Sequence, residues 1–358
     1  MGSIPPAGTT LSTLISHRPA CRQTGLLRLV DCARLRAASM TKPAQDSESS
    51  PAIRITRAVV FFNSRSGRGK ARRYLSSIEQ EFCNRGISVD IIETASADDL
   101  AGHAQRQIQA GGKSLFAAGG DGTCQGLVNS AFGYDVVLGL IPTGGGNDFA
   151  RALGLPLDPI AALRASLEGK PRAVDLVKVR TSDGREHFYL GGGGVGLDAA
   201  AAQYASTHYR NWPGRTRYIA SAIRAFASSE PLRTRVTLES AQGESVWQSA
   251  LLASVLNTPT FGAGIRLIPT AKIDDGLLNL ALLEELSAGR LLRLLPQLAL
   301  RGSLNLPTLR TFRVSKLRIE TDPPSLFEGD GELLGMTPVE IEVVPRAMNF
   351  LAPQGLQG

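Results

Sequence analysis

The stretch Leu115–Thr123, LFAAGGDGT, is an apolar run that ends in a glycine-rich turn. The run predicts a buried strand, and the following segment, Cys124–Phe132, predicts a helix that begins at the turn. Three glycines within four positions lack the Cβ atoms that would keep a bulky anion from the backbone, and the free N–H groups of a helix start attract negative charge. The stretch therefore predicts a phosphate-binding turn that contains one carboxylate, Asp121. The alternative is a tight turn whose glycines serve packing alone.

A second stretch of similar design, Val136–Phe149, reads VVLGLIPTGGGNDF. It predicts another strand, glycine loop and helix. In a parallel sheet the carboxyl ends of the strands share one edge, so the two units would bring Asp121 and Asp148 together. Two carboxylates beside a phosphate site suit a magnesium nucleotide, because Mg²⁺ combines one or two carboxylates with phosphate oxygens. The alternative is that Asp148 caps the helix Phe149–Leu153.

The segment before these stretches predicts the rest of a Rossmann-like parallel α/β domain. A strand over Ala58–Phe62 leads into the loop Asn63–Lys70, NSRSGRGK, whose small residues and cationic side chains suit phosphate binding. A helix to Asn84, a strand over Ser88–Glu93 and a helix over Ala97–Gln109 complete a βαβαβ run, which is typical of a parallel sheet.

The pattern then changes to strands with few helices between them. This change predicts a β-sandwich with helical insertions over Pro213–Ser228 and Ser287–Leu300. Gly191–Gly196 would line the cleft between the two domains, or form a flexible crossing. The strands expected in the sandwich are Arg233–Glu239, Val246–Val255, Leu277–Leu283 and Val339–Val344.

We therefore predict an extension over residues 1–52, a nucleotide-binding α/β domain over residues 53–180 and a β-sandwich domain over residues 181–352. The extension is rich in Ser, Thr, Pro and Ala, and its arginines lie among leucines as in a targeting segment. A flexible tail is the alternative, and Met40 offers another translation start. We expect the extension to be dispensable for activity, because every motif lies beyond it.

The overall composition narrows the classes of partner. The 358 residues carry a formal net charge of +7, which favours anionic partners. The sequence has no block of Lys and Arg with interleaved aromatic residues, which disfavours nucleic acid. The four cysteines form no CxxC pair, which indicates a reducing compartment. Apolar runs such as Ala250–Leu256 fall far short of the ~18 residues that a membrane-spanning helix needs, so membrane contact would be peripheral.

Three segments, Gly119–Thr123, Pro142–Asp148 and Asp330–Glu332, resemble the motifs of the diacylglycerol kinase catalytic-domain family in their order. That family includes bacterial lipid kinases and sphingosine and ceramide kinases. The resemblance implies an ATP-dependent lipid kinase that uses Mg²⁺, with ATP on the α/β domain, the lipid on the β-sandwich and the chemistry in the cleft. NAD kinases carry a motif similar to the first, but the second and third fit the lipid kinases better.

The resemblance also implies roles for single residues. Glu332 would accept the proton of the attacking hydroxyl, although its segment is also a candidate hairpin turn. Asp275 would hold a divalent ion with the main-chain carbonyls of Lys272 and Leu277, or form an ordinary Asp-Gly turn. The other residues with an implied catalytic role are Asp121, Asp330, Asp175 and Arg68. The residues implied to bind the nucleotide are Asn63, Ser66, Gly67, Thr94, Gly119, Gly120, Asp121, Gly122, Thr123, Gly145, Asn147 and Asp148.

Two positions depart from the family pattern. Ser64 stands where proline is usual, and Gly145 stands where the family has a threonine. The missing hydroxyl predicts altered nucleotide binding, by the roughly 0.5–1.5 kcal/mol of one neutral hydrogen bond. A nucleotide-binding regulator without catalysis is therefore an alternative beside an NAD kinase.

The resemblance and the composition together predict the partners and the location. The expected partners are ATP and a lipid substrate at a membrane surface, with no nucleic acid, and a homodimer is left open. The expected location is cytoplasmic with peripheral membrane association.

Overall fold

The computed structural model describes residues 54–64, 71–209, 212, 214–228, 230–239, 247–284, 287, 289 and 309–354. The extension over residues 1–52 lies outside this part, as do Ser66, Gly67 and Arg68 of the first loop. All but two residues of the insertion expected over Ser287–Leu300 also lie outside it.

Four parallel strands follow one another in the first half of the described chain. They are β1 (Arg57–Asn63), β2 (Ser88–Thr94), β3 (Ser114–Gly119) and β4 (Val137–Pro142), paired in the order β2-β1-β3-β4. The prediction of a Rossmann-like parallel sheet is therefore confirmed.

Both faces of this parallel sheet are covered, which explains why its strands are continuous apolar runs. Val59 and Phe61 of β1 belong to one core cluster, while Val60 and Phe62 belong to the other. The helices that supply the two layers are α1 (Leu75–Cys83), α2 (Ala97–Gln109), α3 (Asp121–Ala131), α4 (Asp148–Ala152) and α5 (Pro159–Glu168).

The last strand of the chain extends the same sheet. β18 (Val339–Ala352) pairs parallel with β4 at Asn349 and Phe350, and antiparallel with β5 (Lys170–Arg180). The sheet then continues through β15, β8 and β9, while β6 pairs with β5, which gives ten strands in all. These additional strands are β6 (Glu186–Tyr189), β8 (Leu232–Leu238), β9 (Trp247–Ala250) and β15 (Lys316–Asp322).

A second, antiparallel sheet of six strands has the order β14-β13-β10-β7-β16-β17. Its strands are β7 (Gly192–Gly196), β10 (Leu252–Leu256), β13 (Leu278–Leu283), β14 (Leu309–Val314), β16 (Leu326–Gly329) and β17 (Glu332–Met336). Val179 and Ile341 of the large sheet share a core cluster with Val255, Leu280 and Phe327 of the small sheet. The β-sandwich is therefore confirmed.

One expectation for the sandwich needs correction, and one alternative is excluded. The strand expected over Val246–Val255 is broken at Leu251, so that β9 and β10 lie in different sheets. The Gly191–Gly196 segment is not a flexible crossing, since β7 lies inside the small sheet between β10 and β16. A side chain at Gly193 would collide with the carbonyl of Glu328, so glycine lets the strands approach.

Two helices and a short hairpin complete the described chain beside the small sheet. They are α6 (Leu197–Thr207), α7 (Gly214–Ser228), β11 (Thr260–Phe261) and β12 (Ile265–Arg266). The sequence predicts α7 but not α6. None of the described helices combines the length and the apolar character required to cross a membrane.

Candidate active site

The first glycine turn lies between β3 and α3. Gly120 is the N-cap residue of α3 and Asp121 is its first residue. The helix therefore begins three residues earlier than Cys124, the start that the sequence predicts. The turn packs closely on the second glycine loop, because a Cβ atom on Gly120 would lie 3.2 Å from the Cα of Gly144. Side chains at these two positions would force the loops apart.

The Asp121 carboxylate joins the two loops. Its Oδ2 accepts a hydrogen bond from the N–H of Asn147 at 2.8 Å, and its Oδ1 accepts one from the N–H of Phe149 at 3.2 Å. Burial and the charge of Asp148 raise the pKa of Asp121 to about 6, against the backbone hydrogen bonds, which lower it. The two acids expected at one edge of the sheet thus lie within electrostatic reach of each other.

Asn147 shapes the second loop. It adopts the left-handed conformation, with φ of 56° and ψ of 41°, which asparagine tolerates better than most residues. Its Nδ2 donates to the carbonyl of Gly144 at 3.0 Å, whereas its buried Oδ1 has no hydrogen-bond partner among the described residues. A buried acceptor without a donor calls for an explanation, and a ligand that donates to it would supply one. Gly145 is exposed in the same loop.

Asp148 does not cap α4, because Asn147 is the N-cap residue and makes no side-chain capping bond. The Asp148 carboxylate instead accepts hydrogen bonds from the N–H groups of Ala263 at 2.8 Å and Gly264 at 2.7 Å. Asp148 therefore ties the β11–β12 turn to the second glycine loop.

The carboxyl ends of β1 and β2 lie at the same edge of the sheet. Asn63 Nδ2 donates to Thr123 Oγ1 at 3.3 Å, which brings the end of β1 next to the first glycine turn. The buried Thr94 hydroxyl donates to the carbonyl of Phe62 at 3.3 Å. Asn63 and Thr123 are thus together, and Thr94 lies one strand further out.

Asp330 forms the turn between β16 and β17, with φ of 52°. Its carboxylate accepts hydrogen bonds from the N–H groups of Leu190 and Gly191, both at 2.8 Å, and Gly192 at 3.2 Å. Burial raises the pKa of Asp330 to about 7, and the charge of Asp121 adds to the shift. The segment over residues 330–332 is therefore the hairpin turn that the sequence analysis gave as the alternative. This turn also places the Asp330 carboxylate near Asp121.

Glu332, the first residue of β17, lies over the start of α3. Its Oε1 is 3.0 Å from the position that a Cβ atom on Gly122 would take, so a side chain at Gly122 would crowd it. Loss of solvation beside the protein raises the pKa of Glu332, although the residue is exposed at the surface, and the Arg217 guanidinium lowers it. Gln125 Nε2 donates to the carbonyl of Gly329 at 3.3 Å, which fastens α3 to the same hairpin.

A largely apolar cleft opens beside these acids, with an empty volume of about 1370 Å³ including its open mouth. Asp121, Asp148 and Asp330 line part of it, and α6, α7, β10, β13 and the β11–β12 hairpin contribute to its walls. Apolar and aromatic lining residues include Leu197, Tyr218, Ile219, Phe226, Phe261 and Leu283. The cleft thus combines acids with apolar walls.

Asp175 is not among the described residues that line the cleft, although Asn257 Nδ2 donates both to its carbonyl and to that of Leu190, whose N–H binds Asp330. Its buried carboxylate accepts hydrogen bonds from the N–H groups of Gly276 and Arg346, both at 2.7 Å. Burial raises the pKa of Asp175, with smaller contributions from the charges of Asp275 and Asp274. The geometry gives Asp175 the role of a support for the segment over residues 272–277.

The candidate metal segment forms an Asp-Gly turn. Asp275 Oδ1 accepts the N–H of Leu277 at 3.1 Å, Gly276 has φ of 71°, and Asp275 Oδ2 forms an ion pair with Arg313 at 2.5 Å. In the described part of the chain, no group of three His, Cys, Asp or Glu side chains could hold a metal ion. A cation at Asp275 would therefore depend on main-chain carbonyls, such as those of Lys272 and Leu277.

Three ionisable residues of the cleft were missed by sequence reasoning. Asp198 lies in the first turn of α6, Tyr218 lies on α7 and Glu328 lies on β16. Only Glu328 could have been recognised from the sequence. An acid next to Phe327 in an otherwise apolar strand indicates an unusual buried carboxylate.

Comparisons with known proteins agree with this architecture. Residues 57–179 match the family model of the diacylglycerol kinase catalytic domain, and residues 193–352 match that of the YegS C-terminal NAD kinase beta sandwich-like domain. A diacylglycerol kinase of Mycobacterium tuberculosis is 28% identical over 302 residues, which cover 84% of this chain and 96% of the relative. A protein of Stenotrophomonas maltophilia that is named a probable YegS-like lipid kinase is 29% identical, over 76% of this chain and 89% of the relative.

A solved structure of a putative diacylglycerol kinase from Bacillus anthracis superposes with a TM-score of 0.68 at 20% sequence identity. The superposition covers 84% of this chain and 98% of that one, which shows a shared fold. The two family models follow each other in the chain and together span both sheets. This chain therefore belongs to the diacylglycerol kinase catalytic-domain family of lipid kinases.

Proposed function

We propose that this chain transfers the γ-phosphoryl group of ATP to the hydroxyl of a lipid, diacylglycerol or a related molecule. The observation that carries the proposal is the arrangement of the cleft, in which Asp121, Asp148 and Asp330 adjoin walls that are mostly apolar. Such a cleft suits acyl chains along the walls and a hydroxyl beside the acids. The printed names of the relatives, diacylglycerol kinase and probable lipid kinase, support the same substrate class.

The two glycine loops suit the phosphates of ATP. Gly120 and Gly144 approach so closely that a Cβ atom would fill the space between the loops, and the α3 N-terminus begins at Gly120. Backbone N–H groups of this kind bind phosphate oxygens without a side chain. Asn63, Thr94 and Thr123 lie at the same edge of the sheet and would complete the nucleotide contacts.

Asp121 and Asp148 fit a divalent cation at the phosphates, and Mg²⁺ is the ion we propose. Their carboxylates adjoin each other, and each is held by two backbone N–H groups, so both are fixed in place. Carboxylate oxygens are the protein ligands that Mg²⁺ prefers beside phosphate oxygens. When bound, such a cation neutralises part of the phosphate charge.

Glu332 is the proposed general base. Its carboxylate takes the proton of the lipid hydroxyl while the hydroxyl oxygen bonds to the γ-phosphorus and the bond from phosphorus to the leaving ADP oxygen breaks. Asp330 holds the turn before Glu332 through three backbone hydrogen bonds. Arg217 favours the ionised form of Glu332, which is the form that accepts a proton.

The direct test is phosphoryl transfer from labelled ATP to a panel of acceptors. The panel contains diacylglycerol, monoacylglycerol, sphingosine, ceramide and NAD. We expect label in a lipid and none in NAD. Label in NAD would identify the chain as an NAD kinase, and ATP binding without transfer to any acceptor would identify a non-catalytic regulator.

The net charge of +7 suggests how the protein meets its substrate. Anionic headgroups attract a basic surface by roughly 1 kcal/mol per well-placed Lys or Arg, and salt screens this attraction. Raising the salt concentration should therefore lower activity on anionic vesicles more than activity on the same lipid in neutral detergent micelles. Equal salt sensitivity in the two formats would exclude recruitment by charge.

A further inference from the structure

The acids that line the cleft are more numerous than the proposed reaction needs. Five carboxylates line it, and no Lys, Arg or His is found among its described lining residues. Asp121 and Asp148 hold the glycine loops, and Asp330 is bound by three backbone N–H groups. Asp198 and Glu328 remain without a role, in a cleft whose other lining is mainly apolar.

Glu328 is the one with a free hydrogen-bonding atom. Its side chain is buried, with 1% of the residue exposed, and its Oε2 accepts the N–H of Gly331 at 2.9 Å. Its Oε1 has no hydrogen-bond partner within the described part of the chain. An unpaired buried carboxyl oxygen is costly, so a partner that arrives with the ligand would offset that cost.

The surroundings of Glu328 favour its neutral form. Burial and then the charge of Asp198 raise the pKa of Glu328 well above its ordinary value, and the charges of Asp330 and Glu332 add to this. The N–H of Gly331 opposes the shift. Asp198 itself accepts a hydrogen bond from the Ser254 hydroxyl. A neutral Glu328 carries a proton that it can donate from the oxygen that is not bound to Gly331.

The place of Glu328 in the hairpin sets what it can reach. Its Oε2 is bound to the N–H of Gly331, and Glu332 is the next residue of the chain, so the unpaired oxygen and the proposed base belong to the two strands of one hairpin. Glu328, Asp330 and Gly331 all line the cleft, and Glu332 follows Gly331 in the chain. A lipid that enters the cleft with its hydroxyl at Glu332 and its chains along the apolar walls would place the polar atoms beside that hydroxyl in the part of the cleft that Glu328 lines. In an acylglycerol, those atoms include an ester carbonyl on a neighbouring carbon, which accepts but cannot donate a hydrogen bond.

We propose that Glu328 is a positioning residue that donates a hydrogen bond from its carboxyl group to the ester carbonyl beside the reacting hydroxyl of the lipid. This inference rests on the proposed function, because it assumes that the cleft holds a lipid alcohol. If Glu328 has this role, the protein binds ester lipids more tightly than lipids that carry the same chains in ether linkage.

Two substitutions separate this role from a structural one. In Glu328→Gln, the amide oxygen keeps the bond from Gly331 and the amide nitrogen still donates, so both interactions survive without the acidic proton. In Glu328→Met, a side chain of similar length loses both. Asp198→Asn is the second comparison. It removes the neighbouring charge, while burial, the largest cause of the raised pKa of Glu328, is unchanged and still favours the neutral donor at position 328.

The experiment uses the full chain and two soluble short-chain probes, a diacylglycerol and the dialkylglycerol with the same chain length. The dissociation constant of each is measured without ATP, and KM and kcat are measured with ATP. We expect the wild type, Glu328→Gln and Asp198→Asn to bind the ester more tightly than the ether. In Glu328→Met, the ratio of ester affinity to ether affinity should fall by about 2- to 12-fold, which is the contribution of one neutral hydrogen bond. The loss should appear as a higher KM for the ester with kcat unchanged.

Three outcomes would overturn the inference, and a fourth would overturn only the proposed function. A wild type without ester preference, or a Glu328→Gln variant as defective as Glu328→Met, would exclude a neutral donor at this position. Equal losses for both probes in Glu328→Met, with a lower melting temperature, would mean that Glu328 serves only to hold Gly331. If the ester preference is present in binding but no lipid is phosphorylated, the proposed function fails while the site at Glu328 stands.

Discussion

The Asp121 carboxylate and the Asn147 N–H, 2.8 Å apart, connect the two glycine loops of the candidate active site. A second bond runs from the Phe149 N–H to the same carboxylate at 3.2 Å. Asp121 therefore does two things at once, since it is a candidate ligand for the nucleotide-bound cation and it fixes the second loop against the first.

Asp121→Asn should abolish activity. The neutral amide has one oxygen instead of two, so one loop N–H loses its acceptor and the cation loses a charged ligand. We expect turnover to fall by at least about 100-fold, the typical cost of removing one group that stabilises developing charge. The free energy of unfolding should fall by about 1–3 kcal/mol, measured by urea titration.

Asp158→Asn is a matched control for this experiment. Asp158 is exposed and also accepts two backbone N–H groups, those of Ile160 at 3.1 Å and Ala161 at 2.9 Å. Both N–H groups bind the same oxygen, which Asn retains, and Asn caps a helix about as well as Asp, so Asp158→Asn should keep its stability as well as its turnover. Near-normal turnover of Asp121→Asn would mean that the glycine turn is structural and that the central assignment is wrong.

Glu332→Gln tests the proposed base. The amide keeps the size of the side chain over Gly122 but cannot accept the hydroxyl proton, so kcat should fall by about 10²- to 10⁴-fold. The dissociation constants for ATP and for lipid vesicles should stay within twofold of the wild-type values, or about 0.4 kcal/mol. Glu340→Gln, at an exposed residue that pairs with Arg318, is the matched control and should stay fully active. An active Glu332→Gln enzyme would exclude Glu332 as the base.

Arg217→Met tests how the base is kept ionised. Loss of solvation raises the pKa of Glu332 and Arg217 lowers it, so removal of the guanidinium leaves only the upward shift. Because the base works in its ionised form, activity falls as the pH drops through this pKa. The acid limb of kcat/KM should therefore move to higher pH in Arg217→Met. Arg224→Met on the same helix, where Arg224 lies over the Tyr204 ring, should leave the limb in place.

The parallel sheet could be predicted because its strands are short apolar runs, several of which end in glycine loops. The strand that extends it could not. The alternating pattern of Val339–Val344 predicts a sandwich strand, and β18 does pair with β15 there. Its continuation to Ala352 pairs with β4, some 200 residues earlier in the chain. That pairing depends on contacts between distant segments, which a local pattern does not contain.

The residues of the candidate site that belong to sequence motifs could be predicted, and the others could not. Asp121, Asp148 and Asp330 lie near one another because their turns follow strands that end at the same cleft. Glu328 and Asp198 were missed, because an acid inside an apolar segment reveals its burial only in the folded chain. Asp175 was expected within the catalytic network, and this stays a prediction. Its carboxylate binds the N–H groups of Gly276 and Arg346, which are remote in sequence and which a local pattern could not have revealed.

Asp175→Asn distinguishes a support from a catalytic residue. The amide oxygen can accept a hydrogen bond from only one of the two backbone N–H groups, and the amide NH₂ group faces the other, which it cannot accept. The free energy of unfolding should therefore fall by about 1–3 kcal/mol. The KM for ATP and kcat, measured well below the melting temperature, should change less than twofold, or about 0.4 kcal/mol. A large loss of kcat at unchanged stability would return Asp175 to the catalytic network.

The ion that the family resemblance implies at Asp275 has a readout that does not involve activity. A cation that binds only the folded state stabilises it by about 1.4 kcal/mol at ten times its dissociation constant, so MgCl2 should raise the melting temperature of the nucleotide-free protein. Asp275→Asn should remove most of this shift. Arg313→Met should increase it, because Arg313 now occupies the carboxylate at 2.5 Å and competes with a cation. Asp121→Asn, measured in parallel, accounts for any ion bound at the glycine loops. A Mg²⁺ shift that is the same in the wild type, Asp275→Asn and Arg313→Met would show that no ion binds at this turn and that it is an Asp-Gly turn alone.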